Sequence, residues 1–230
     1  PVAPVAPVAA VAPPEMLKNK GLVFWISPNV DPAGSYRDLL SDTAGTPLGT
    51  VTKKTDQAKY LDFQRGHLAY RAPAAVTEIQ RSGAVFVWIR SDSYAQQGGV
   101  LERGDETYDD FSVWVDKGHF AARFNFPEAL KRPNRGYFHS AAALQPDRWN
   151  HCGICWDGTT MVIYINGVRD SVHTAGSIPL KRGTIVFLGC NTTNTNEFFH
   201  GQLDSAMIFN RALSDAEVKE LYANPGAKAK

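Results

Sequence analysis

Alternation is what most constrains this chain. A series of short segments is dominated by β-branched, aromatic and other apolar residues, with the hydrophobic pattern at period two clearest in those that also carry polar residues, such as Phe111–Val115: Gly21–Ile26, Ala84–Arg90, Phe111–Val115, His119–Phe126, His151–Trp156, Met161–Ile165, Thr184–Gly189 and Leu203–Phe209. Successive side chains of a strand point to opposite faces, so each segment reads as a strand with one face turned to a core. Turn residues stand between them. Asp116-Lys117-Gly118, Asp157-Gly158 and Asn166-Gly167 each join two segments. Asp, Asn and Gly accept the positive φ that tight hairpins require, and lysine is the exception in the first of these turns. No amphipathic helix recurs between strands, which argues against a parallel α/β sheet. The pattern predicts an all-β fold, a two-sheet antiparallel β-sandwich or jelly roll. One helix is expected near the end, over Ser214–Tyr222. Ser214 and Glu217 have capping-box spacing, Leu213 and Val218 can form a hydrophobic staple, and Val218, Leu221 and Tyr222 share a face.

The 230 residues are 43% hydrophobic, enough for a sizeable core in one domain. Lysine and arginine total 24 against 23 acidic residues, a net charge of +1, so no global field favours nucleic acid. No apolar stretch approaches the roughly 20 residues of a spanning helix, and no transmembrane segment is expected. Residues 1–20 begin with a Pro-Val-Ala repeat, Pro1–Pro14, which reads as an extended linker or a processed tail. The domain is expected over 21–223, with a polar tail over 224–230.

The second half resembles a known family. Arg148-Trp149-Asn150-His151, Trp156-Asp157-Gly158 and Val162-Ile163-Tyr164-Ile165-Asn166-Gly167 are similar to the tryptophan strand, turn and Y-x-N-G hairpin of laminin-G-like (LamG-like) domains of the concanavalin A-like superfamily. Phe199-His200-Gly201-Gln202-Leu203-Asp204, then Met207-Ile208-Phe209-Asn210-Arg211-Ala212-Leu213-Ser214, resemble that family's closing segment. Asp42-Thr43-Ala44-Gly45, Leu61-Asp62-Phe63, Val85–Ile89 and Gly98–Asp105 resemble its first half more loosely. The resemblance implies a jelly roll that binds glycans or extracellular protein, sometimes with calcium, in a secreted or cell-surface protein. The same fold also carries glycoside hydrolases and polysaccharide lyases, so function rests on the site.

Catalysis finds little support. A retaining glycosidase of this fold needs two glutamates alternating on one strand, and no E-x-D-x-E run occurs. The acid-rich stretch Glu102–Asp110 contains Gly104 and reads as a solvated hairpin turn. Lyase components exist in Tyr108, Arg123, Asn125, Tyr137 and His139, without diagnostic spacing. Cys152 and Cys155 lie three apart in a strand, on opposite faces, and so read as buried structural thiols rather than a metal pair. Cys190 is either a third inert thiol or a disulfide partner.

Glycan binding needs rings that stack on sugar C–H faces beside groups that bond hydroxyls. Strand parity places Phe111, Val113 and Val115 with Phe120, Ala122, Phe124 and Phe126 on the core side. Trp114, Arg123 and Asn125 then share the other face. Either that face is a ligand site or the Pro127–Gly136 loop covers it. Tyr94, Tyr108, Tyr137 and His139, with Asn191 and Asn194 of an Asn/Thr-rich loop, complete the candidate site. Lys131, Arg132 and Arg135 would suit an acidic glycan or simply solvate the loop. The resemblance marks Asp42 and Asp204 as possible calcium ligands, the alternatives being an Asx turn and a turn cap. The expectation is a non-catalytic extracellular carbohydrate-binding module, with protein adhesion as the alternative and an enzyme of the same fold as the second.

Overall fold

The computed structural model describes residues 17, 20–28, 36–54, 60–105, 109–124, 137–174, 183–191 and 197–223. The described strands are β1 (Leu22–Ile26), β2 (Thr46–Lys54), β3 (Tyr60–Arg71), β4 (Ser82–Arg90), β5 (Gly98–Gly104), β6 (Asp109–Asp116) and β7 (His119–Phe124). They continue with β8 (Tyr137–Ala143), β9 (Asn150–Asp157), β10 (Thr160–Ile165), β11 (Val168–Thr174), β12 (Ile185–Leu188) and β13 (Gly201–Phe209). Two helices join them, α1 (Ala74–Thr77) and α2 (Asp215–Ala223). Every strand pair is antiparallel. One layer runs β11-β10-β9-β4-β13, with β1 added to β13; the other runs β3-β12-β5-β6-β7-β8, with β2 added to β3. The expected jelly-roll sandwich is the fold observed.

β13 joins the two layers. Its start pairs with β3 through Gly201–Leu203, and from Gln202 to Phe209 it pairs with β4. Far from that seam, the Asp170 carboxylate of β11 accepts hydrogen bonds from the Ala141 and Ala142 amides of β8 at 2.6 and 2.8 Å. A side chain thus satisfies amides that an edge strand would leave open.

The hairpins follow the turn chemistry. Lys117 and Gly118 have φ of 50° and 88°, closing β6 on β7 with Asp116 opposite His119. Asn166 and Gly167, at 52° and 79°, close β10 on β11, and the Asn166 amide oxygen also accepts the His151 N–H at 2.9 Å. Gly158, φ 60°, turns β9 into β10.

Alternation distributes side chains between two cores. Phe111, Val113, Val115, Phe120, Ala122 and Phe124 meet Cys152, Ile154 and Trp156 between the layers. Cys155 faces the second cluster, where Trp25, Phe86, Tyr164, Met207 and Phe209 lie under Leu213, Val218 and Leu221. The two thiols of the Cys-x-x-Cys run therefore occupy separate cores, and all three cysteines are free. Gly153 lies between them because a Cβ there would stand 2.1 Å from the Phe86 ring.

The cap of α2 has the expected form. The Ser214 amide donates to Glu217 Oε2 at 2.9 Å and the Glu217 amide to Ser214 Oγ at 3.3 Å. The folded part reaches further back than the expected start at residue 21. Leu17 is buried in the second core, and Lys20 Nζ meets Glu220 Oε2 at 2.8 Å. Residues 1–16 and 224–230 lie outside the described residues.

The Glu102–Asp110 stretch corrects the sequence reading. Glu102 and Arg103 belong to β5 and Asp110 to β6, and all three are buried, while Glu106, Thr107 and Tyr108 lie outside the described residues. Arg103 Nε donates to Asp110 Oδ2 at 3.0 Å, and its Nη1 donates to the Val76 and Ile79 carbonyls at 2.6 and 2.8 Å. Asp110 also accepts the Gly183 amide at 2.6 Å. Charge in sequence marked a buried ion pair that ties α1 to the second layer, rather than a solvated turn.

Candidate functional site: a cleft around Arg90

The predicted face assembles only in part. Trp114, Arg123, Tyr137 and His139 are neighbours, since Arg123 pairs with Tyr137 and Ala121 lies between Trp114 and His139 in register. Arg123 Cζ stands 5.5 Å over the Tyr137 ring, and Tyr137 meets Trp114 edge to face at 6.0 Å. His139 Nε2 lies 2.8 Å from Asp116 Oδ2. Trp114, however, is fully buried, with its indole N–H donating to Ser112 Oγ at 2.6 Å. A ring that stacks on a sugar needs an open face, and Trp114 has none. This corrects the expectation of a solvent-facing tryptophan.

The rim candidates divide similarly. Tyr94 is a core side chain whose hydroxyl accepts Asn150 Nδ2 at 3.2 Å, and burial raises its pKa. Asn191 is buried and donates to Glu197 Oε2 at 2.8 Å. Neither presents itself to solvent as expected. Tyr108, Asn125 and Asn194 lie outside the described residues, as do Lys131, Arg132 and Arg135. Of the calcium candidates, Asp204 is fully buried within β13, and Asp42 is exposed with Arg37 Nη1 2.6 Å from its carboxylate. The buried acid of that early loop is Asp38, which accepts the Trp25, Leu40 and Ser41 amides. Among the described residues no three His, Cys, Asp or Glu side chains gather as a metal site.

An open cleft of about 550 Å³ lies elsewhere, at the seam where β13 passes between β3 and β4. Leu61, Phe63, Ile89 and Leu203 face the inter-layer core, so parity turns Asp62, Arg90 and Gln202 to the outside. Register aligns them: Asp62 is opposite Gln202, and Gln202 is opposite Arg90. Arg90 Nε donates to Gln202 Oε1 at 2.5 Å. Two half-buried rings flank the guanidinium, Tyr60 at 5.9 Å and Trp149 at 5.5 Å, and meet each other edge to face at 6.2 Å. Tyr60 precedes Asp62 by two on β3 and shares its face; Trp149 immediately precedes β9, whose Asn150 lies opposite Ile89.

Loops complete the cleft. Ser91 Oγ donates to the His200 carbonyl at 2.7 Å, and the Asp147 amide donates to the Ser91 carbonyl at 2.8 Å. These bonds draw Asp92, Asp147 and His200 around the opening. The set combines a guanidinium, an amide and carboxylates, all able to bond hydroxyls, with aromatic rings at its margin. Its carboxylates come from β3 and from two separate loops, unlike the single-strand pair of a double displacement.

Reasoning from the sequence missed this cleft. Leu61-Asp62-Phe63 and Arg148-Trp149 were legible as resemblance to a fold, and their polar members carried no signal of convergence. The usable clue was parity: an acid, an amide and an arginine each stand beside core-facing residues. Their meeting depends on register between strands far apart in sequence.

A family model described as the concanavalin A-like lectin/glucanases superfamily, Laminin_G_3, matches residues 64–219. No curated protein matches the sequence. Among solved structures, the binding domain of botulinum neurotoxin DC in complex with rat synaptotagmin II is similar, with a TM-score of 0.70 and 12% identity over 89% of this chain and 52% of that one. The same binding domain in complex with SialylT gives 0.69 and 11% identity, over 89% of this chain and 52% of that one. The botulinum neurotoxin serotype G binding domain gives 0.66 and 14%, over 88% and 50%. At such identities the likeness is one of fold, and this chain spans about half the length of those chains.

Proposed function

We propose that this chain, which belongs to the concanavalin A-like lectin/glucanases superfamily, is a non-catalytic, extracellular carbohydrate-binding module that takes its ligand at the Arg90 cleft. The observation that carries the reading is the three-strand register of Asp62, Gln202 and Arg90 beside the Tyr60–Trp149 pair. Side chains fixed on strands are held in place before a ligand arrives, which lowers the cost of ordering them on binding. Hydroxyls would bond to the amide, guanidinium and carboxylates, while a sugar's C–H face would rest on an aromatic ring.

A glycan array tests it, with intact protein and with Trp149→Ala and Arg90→Ala. Loss of a stacking ring should cost on the order of 1 kcal/mol, roughly fivefold in affinity. Capture of a glycan that both variants weaken supports the reading. Capture that neither variant alters places the ligand elsewhere, and no capture at all contradicts it. Calcium is not required in this account, so capture should persist in chelator; loss in chelator would return attention to Asp42 and Asp204.

Protein adhesion is the second reading. One fold neighbour is a neurotoxin binding domain in complex with rat synaptotagmin II, so a sandwich of this shape can engage protein. An empty glycan array, together with saturable binding to an extracellular protein, would favour it.

A further inference from the structure

We infer that the Arg90 cleft selects glycans without acidic groups and favours amine-bearing sugars over their N-acetylated counterparts. The inference rests on the carbohydrate-binding reading above and adds the ligand's charge. Among its described lining residues, three carboxylates, Asp62, Asp92 and Asp147, stand against one guanidinium, Arg90. The net charge of the whole chain is +1, so this negative balance is local to the cleft.

Arg90 is poorly placed to reverse that balance. Its Nε already donates to Gln202 Oε1 at 2.5 Å, which removes the Nε–Nη edge from a side-on clamp of an incoming carboxylate. Its faces stand near the Tyr60 and Trp149 rings. A uronate or sulfate in the cleft would meet three like charges, the kind of repulsion by which binding sites reject wrong partners. An ammonium in the same place would find carboxylate acceptors, whereas N-acetylation removes the charge and keeps the sugar's shape. His200 also lines the cleft and is exposed.

Calorimetric titration with a glucosamine tetrasaccharide, an N-acetylglucosamine tetrasaccharide and a galacturonate tetrasaccharide tests the inference. At low salt the amine form should bind roughly fivefold or more tightly than the N-acetylated form, as expected of a few partly exposed charge pairs. The gap should shrink in concentrated salt. The galacturonate form should bind least. Replacing Asp62, Asp92 and Asp147 together by Asn should bring the ratio of amine to N-acetylated affinity close to one, whatever overall affinity the variant retains, and an unchanged ratio would overturn the inference. Equal or tighter galacturonate binding that Arg90→Ala abolishes would overturn the inference and leave the carbohydrate reading intact. Failure of all three sugars on a protein that also captures nothing on the array would overturn both.

Discussion

At Asp110 a single carboxylate closes several bonds at once. It receives Arg103 Nε and the Gly183 amide, while Arg103 spans to the carbonyls of Val76 in α1 and Ile79 just beyond it. Removing one member of a buried pair leaves the other charge uncompensated, which typically costs about 3–5 kcal/mol. Asp110→Ala should therefore lower the urea midpoint strongly, and a change within about 0.5 kcal/mol would show that the pair is not a structural tie. Trp114 belongs to the same category. Its buried indole predicts that Trp114→Ala loses about 3–5 kcal/mol of stability, while the folded fraction binds glycan as before. The cysteines make a chemical prediction. Burial pushes the Cys155 and Cys190 thiols up to about 12 and raises Cys152 well above its usual value. Thiolate is the reactive form, so native protein at pH 8 should resist a thiol reagent and release three equivalents only on denaturation. Prompt labelling of the native protein would contradict the burial.

Among elements, α2 carries the clearest pH response. The Arg211 guanidinium and the Ser214 cap hold Glu217 down to about 2, against an ordinary 4.5. A carboxylate with a depressed folded value contributes stability above its unfolded value, and that contribution fades as pH falls from about 4.5 toward 2. Glu217→Gln should thus be about 1 kcal/mol less stable at neutral pH. The difference should vanish near pH 2, as thermal melts at both values would show. An undiminished difference in acid would contradict the assignment. The cap was legible because its spacing is local. So were the hairpins at Gly118, Gly158 and Gly167, where turn chemistry is written in two or three adjacent residues. β2, β8 and β11 escaped because their exposed or mixed faces break the alternation: Leu48, Val168 and Val172 are among the exposed apolar side chains. β5 escaped because Glu102 and Arg103 are buried as charges, which a hydrophobic pattern cannot register.

Across the whole molecule, the sandwich followed from period two together with the closing segment Phe199–Ser214, and the family match over residues 64–219 agrees with both. The binding face did not follow. Parity correctly separated Trp114 from the core between the layers, but a strand's second face can also be buried, and only the assembled fold shows which face remains open. The cleft arises where β13 crosses from one layer to the other, so it belongs to topology rather than to any one segment. Backbone amide shift mapping during titration with a captured glycan tests that claim most directly. The account predicts perturbations clustered at residues 60–64, 90–92, 147–149 and 200–202, with residues 112–116 and 137–139 unmoved. Perturbations confined to 112–116, 123 and 137–139 would contradict it and return the site to the Arg123–Tyr137 face.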